Sequence, residues 1–87
     1  MNILQEAISL VDKKRQSEYG SPIDNWTNIS VVASSLIGKP LSAEECLKVV
    51  IAMKLCRETH KHKRDNLVDC AGYLEILNQF YEKNSTD

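Results

Sequence analysis

Leu41-Ser42-Ala43-Glu44-Glu45-Cys46-Leu47-Lys48-Val49-Val50-Ile51-Ala52-Met53-Lys54-Leu55-Cys56-Arg57 is the stretch that decides the fold. Val49-Val50-Ile51, taken alone, reads as a β-strand, because β-branched residues favour extended backbone. The residues before it overrule that reading. Ser42 and Glu45 form an S-x-x-E capping box, and Leu41 is placed to staple onto Cys46. The apolar run is also too long for a typical strand. A helix is predicted, apolar nearly all round from Cys46 to Cys56. Such a helix is buried on several sides, so it is expected at the centre of the domain.

The flanking sequence repeats the helical signal. N-terminally, Ser21-Pro22-Ile23-Asp24 starts a helix: Ser21 can cap, Pro22 suits the first helical position and Asp24 the first turn. Trp26, Ile29, Val32, Ala33 and Leu36 are expected on its inner side, and Gly38 and Pro40 stop it. Before that, Ile3, Leu4, Ala7, Ile8 and Val11 recur at helical spacing from about Asn2 to Ser17. Lys13, Lys14 and Arg15 suit the C-terminal end of that helix dipole, and Gly20 closes it. C-terminally, a helix from about Asp65, its expected cap, to Glu82 carries Leu67, Val68, Ala71, Leu74, Leu77 and Tyr81. Gly72 inside it points to a close helix contact. Residues 83–87 are expected to fray. The expected fold is all-α: one domain over residues 1–87, an antiparallel-like four-helix bundle.

Composition sets further bounds. Eighty-seven residues leave a thin core, so association into a homo-oligomer is expected to help. A net charge of −1 lacks the bulk basic character of many DNA-binding domains, so nucleic acid is not the expected partner. The three cysteines, Cys46, Cys56 and Cys70, show no zinc spacing and read as reduced core residues of a cytoplasmic protein. No signal peptide is visible and no apolar run reaches the roughly 20 residues of a membrane span, so no membrane partner is expected.

Three clusters can carry chemistry. From Lys54 to Arg64 lie five cations, Lys54, Arg57, Lys61, Lys63 and Arg64, against the single carboxylate of Glu58. Lys54, Arg57 and Lys61 share a helical face at three- and four-residue spacing. Arg supplies a planar fork for phosphate oxygens and Lys adds charge, so a phosphate site is one reading. A cationic helix end solvated by water is the other. Next, Asp65 and Asp69 stand one turn apart. They could hold Mg²⁺ beside substrate phosphates, or pair with Lys63, Arg64 or Arg57. Third, Tyr19-Gly20-Ser21-Pro22 with Asn25 and Trp26 offers a helix start and two aromatic rings that could stack on a base. A tight turn with a core Trp is the plain alternative. His60 and His62, two apart, do not share a helical face and are poor candidates for metal ligation.

Three blocks stand in a fixed order: Tyr19-Gly20-Ser21-Pro22-Ile23-Asp24-Asn25, then Lys54 and Arg57, then Asp65 to Tyr73. They resemble the YG-x-P-x-x-N, K-x-x-R and D-x-x-x-D-x-A-G-Y pattern of a family of small bacteriophage and prophage proteins of unknown function. More remotely the chain is similar to all-α nucleotide pyrophosphohydrolases of the MazG type, which hold Mg²⁺ with an E-x-x-E and an E-x-x-D helix. Here Glu44 and Glu45 are followed three residues on by Leu47 and Lys48, so that carboxylate set is incomplete. Phages encode small helical sponges that sequester nucleotide immune signals. By that analogy the resemblance implies a counter-defence protein in the bacterial cytoplasm that binds a linear or cyclic nucleotide without turnover and without a cofactor. Tyr19, Trp26, Lys54, Arg57, Lys61, Arg64, Asp69 and Tyr73 would contact the ligand. The alternatives are a Mg²⁺-dependent hydrolase with Asp65 and Asp69 as metal ligands, and an inhibitor that docks on a host protein.

Overall fold

The computed structural model describes residues 2–11 and 20–84. The described chain is all-α: α1 Ile3–Ser9, α2 Pro22–Ile37, α3 Ala43–His60 and α4 Arg64–Asn84. The expected continuation of the first helix to Ser17, the basic run Lys13–Arg15, Tyr19 and the last three residues of the tail lie outside the described residues. Lys83 and Asn84, expected to fray, belong to α4.

Local chemistry starts and stops these helices. Asn2 caps α1, accepting from Gln5 N at 2.9 Å while its own N–H donates to Gln5 Oε1 at 3.1 Å. Ser21 Oγ accepts from Asp24 N, and Pro22 opens α2. Gly38 ends α2 at φ 81°, a left-handed value costly for any residue with a Cβ. Ser34 then fastens the loop: its Oγ accepts from Leu41 N at 2.8 Å and donates to Leu41 O at 3.2 Å. The Ser42–Glu45 capping box forms in both directions. Leu41 packs on the cluster that includes Cys46.

Helices α3 and α4 run antiparallel, as three contacts show. Lys48 Nζ lies 5.8 Å from the Tyr81 ring centre, Cys70 Sγ faces Ile51 O, and Lys54 meets Asp69. The core gathers Val11, Trp26, Cys46, Leu47, Ile76 and Phe80. Leu47 is fully buried, and Ile76 is 2% exposed. Each such side chain contributes about 1.5–3 kcal/mol through burial.

Several expectations need correcting. The centre is α4, which touches all three other helices. In α3 only Ala43, Cys46 and Leu47 are buried, whereas Val49, Met53 and Leu55 are exposed. Apolar residues on every side say that a helix can be buried all round, but the described residues pack only α2 and α4 closely against it. Cys56 is accordingly exposed, while Cys46 and Cys70 are buried. Val32 and Leu36 of α2 also face outward, at 58% and 82% exposure. Leu4 and Ile8 of α1 and Leu74 and Tyr81 of α4 do the same. Val68 of the expected stripe is buried, and the inner stripe of α4 continues from it through Gly72, Ile76 and Phe80, each one turn apart. Asp65 is not the cap of α4 but lies in its first turn, since the helix begins at Arg64. Gly72 does sit at a helix contact, under α1.

Candidate functional site

The connection from α3 to α4 is only Lys61-His62-Lys63, so the cationic end of one helix is folded back against the acidic start of the next. Glu58 holds this turn. Its Oε1 accepts from Lys63 N at 2.9 Å and from the buried Asn66 Nδ2 at 3.2 Å. Its Oε2 meets His62 Nδ1. These contacts, His62 first, hold the Glu58 carboxyl below its ordinary value, because each favours the charged form. Lys61 leaves the helix in extended conformation, its N–H still bonded to Arg57 O at 3.0 Å.

One turn further in, Lys54 Nζ and Asp69 Oδ2 are 2.7 Å apart, with side chains only 16% and 20% exposed. Lys54 of α3 thus joins α4 through its ammonium. Asp69 is thereby a positioning group for a cation.

Between these features runs an open groove of about 670 Å³, walled by Lys54, Cys56, Arg57, His60, Lys61 and Lys63 on one side and Asp65, Asn66 and Asp69 on the other. Its described lining carries four fixed cations against two carboxylates. The first turn of α4 borders it, adding the positive end of a helix dipole. Three of the sequence-predicted cations, Lys54, Arg57 and Lys61, therefore meet in one place. Lys63, counted in the basic run but not among the proposed ligand contacts, joins them, as does His60, which was weighed only as a poor metal ligand.

Arg64, Trp26 and Tyr73, also predicted, are elsewhere. Arg64 reaches across to Glu6 of α1 and is not in the groove wall. Trp26 is 5% exposed and packs edge-on against Tyr73, with ring centres 5.7 Å apart. An indole so covered has no face to offer a base. Tyr73 lines a small cavity beneath α1, not the groove. Asp65 and Asp69 both border the groove. Glu44 and Glu45 belong to the opposite end of α3: nine residues separate Glu45 from Lys54, about 14 Å along the axis at 1.5 Å per residue. Among the described residues no three His, Cys, Asp or Glu side chains are grouped to hold a metal ion. Glu58 and Asn66, which shape the turn, were not singled out from sequence. The signal available was that Glu58 is the one carboxylate inside the basic run.

Residues 2–81 match the family described as a domain of unknown function, DUF6378, and the chain belongs to that family. It is also similar to the Gene 55 protein of Mycobacterium phage D29, 31% identical over 83 residues. That match covers 94% of this chain and 55% of the relative, so the chain spans about half the length of the curated relative it matches. No solved structure matches the chain. No helix among the described residues is long and apolar enough to cross a membrane.

Proposed function

We propose that the α3–α4 groove binds a phosphate-bearing small molecule, a nucleotide, and holds it without turnover. The observation that carries this reading is the convergence of Lys54, Arg57, Lys61 and Lys63 on one open groove beside the first turn of α4. A diphosphate or triphosphate places several negative oxygens within a few ångströms of one another, and a wall of four cations offers them opposite charge. Arg57 would grip two oxygens with its fork, while Lys61 and Lys63 supply charge from the turn. Lys54, held by Asp69, presents an oriented ammonium and loses little freedom when the ligand arrives. Tyr19 remains our proposed ring against the base.

Binding is favoured over hydrolysis because the carboxylates are divided. Asp65 and Asp69 border the groove, but Glu44 and Glu45 stand at the far end of α3, and Asp69 is already engaged by Lys54. In an infected bacterial cell such a protein would withdraw a nucleotide signal from its receptor, a counter-defence role.

The test incubates the protein with linear and cyclic nucleotides and Mg²⁺, removes the protein by filtration, heat-denatures it and chromatographs both fractions. A nucleotide depleted from the filtrate and recovered intact supports the proposal. A chelator-sensitive product makes the protein a hydrolase, with Asp65 and Asp69 as the metal ligands. If every nucleotide passes through unchanged, the groove faces a protein partner. Arg57→Gln and Lys61→Gln are each expected to weaken binding about tenfold or more, as for a lost charge-assisted hydrogen bond.

A further inference from the structure

What the groove can read of a ligand follows from which of its side chains are unengaged. Arg57, Lys61 and Lys63 are exposed, and none of their side chains is in an ion pair among the described residues. On the facing wall, the groups that could read the edge of a base are mostly engaged. Asn66 is buried and donates its amide N–H to Glu58, and Asp69 holds Lys54. Asp65 is left, and a carboxylate in the first turn of a helix already suits the helix dipole. The ring in the described wall is that of His60. Stacking on a ring does not separate one base from another, because every base has a π-face. The groove therefore offers charge for phosphate and few groups that specify a base.

The cations are also spread along one line. Lys54, Arg57 and Lys61 follow at three and four residues, so about 10 Å of helix axis separates the first from the last at 1.5 Å per residue. A single phosphate group, smaller than one helical turn, serves one part of this row. Linked phosphates can lie along it and meet a fresh cation at each step. A cyclic phosphodiester has no such chain and concentrates its charge in one place.

We propose that the groove recognises the chain of linked phosphates itself, so that its ligand class is a linear polyphosphate, inorganic or nucleoside-borne, with the base unread. This rests on the phosphate-binding reading of the groove and narrows it in three ways. Linear ligands are bound over cyclic ones, three phosphates over one, and no base is preferred.

Isothermal titration calorimetry in metal-free buffer tests this. The probes are orthophosphate, pyrophosphate, inorganic tripolyphosphate, the four ribonucleoside triphosphates, and cyclic AMP and cyclic GMP. Affinity should rise about tenfold with each added phosphate, as for one more charge-assisted hydrogen bond. The four ribonucleoside triphosphates should bind within about threefold of one another, since stacking tolerates any base. Lys61→Gln should lower the affinity for tripolyphosphate more than that for pyrophosphate, because a diphosphate can still sit at the Lys54 end of the row. Its circular dichroism spectrum should be unchanged. A nucleotide that binds while tripolyphosphate does not overturns the proposal and leaves the nucleotide reading standing. So does one base preferred more than about tenfold over the others, or a cyclic nucleotide bound more tightly than every linear one. Tripolyphosphate binding with no nucleotide binding upholds the chain as the recognised element and ends the nucleotide reading. If none of the probes binds, both readings fall.

Discussion

Gly72→Ala should stabilise this protein, although the glycine sits where α1 lies on α4. A Cβ built at Gly72 meets Val11 Cγ2 at 3.5 Å and Ala7 Cβ at 3.9 Å, both ordinary contact distances. The neighbours are side chains, not backbone, so nothing must move. Against that neutral steric term stands the helix propensity of Ala over Gly, about 1 kcal/mol, with a further small gain from the new contacts. The net expectation is about 0.5–1 kcal/mol of added stability, or roughly 4–8 °C in melting temperature per kcal/mol for a domain of this size. Gly72→Val is the contrasting variant. Its two extra methyl groups extend into the space held by Val11 and Ala7, and overpacking costs about 1–3 kcal/mol. Thermal and urea unfolding followed by circular dichroism measure both. If Gly72→Ala loses more than about 1 kcal/mol, α1 lies closer to α4 than described and the contact argument fails.

Two further outcomes are expected. A thiol reagent should modify Cys56 at once in the native protein and reach the buried Cys46 and Cys70 only on unfolding; equal rates for all three would contradict the packing of α3 and α4. Glu58 and Glu45 are both held below their ordinary 4.5, by His62 and by Ser42 respectively, so each adds stability above that pH that is lost as pH falls through its folded value. The melting temperature should therefore drop in acid, and Glu58→Gln should show a smaller drop; an unchanged drop would mean that the Glu58 contacts do not stabilise the turn.

Much of the fold was legible because it is written locally. Ser21, Gly38, Ser42 and Glu45 act on backbone groups within four residues of themselves, so spacing alone places them. The covered face of each helix was harder to read. Leu74 and Tyr81 fit a helical stripe as well as Ile76 and Phe80 do, and only the packing of α1 and α3 against α4 chooses between them. The site divides the same way. Lys54, Arg57 and Lys61 could be grouped from helical spacing, and the short turn brought Lys63 and His60 to them. Asp69 was considered as a partner for nearby cations, but its partner is Lys54, which only the antiparallel pairing of α3 with α4 reveals. The removal of Arg64 to Glu6 depends on a contact 58 residues away in sequence, beyond any local signal.

The short Lys61–Lys63 connection also has a kinetic consequence. Every described residue that walls the groove lies between Lys54 and Asp69, within a single helical hairpin. Contacts so close in sequence cost little chain entropy to close and form early in folding. The groove can take shape before α1 finds its place on α4, and docking of α1 then becomes a late event. Mutations at Ala7 or Val11 should accordingly speed unfolding more than they slow folding.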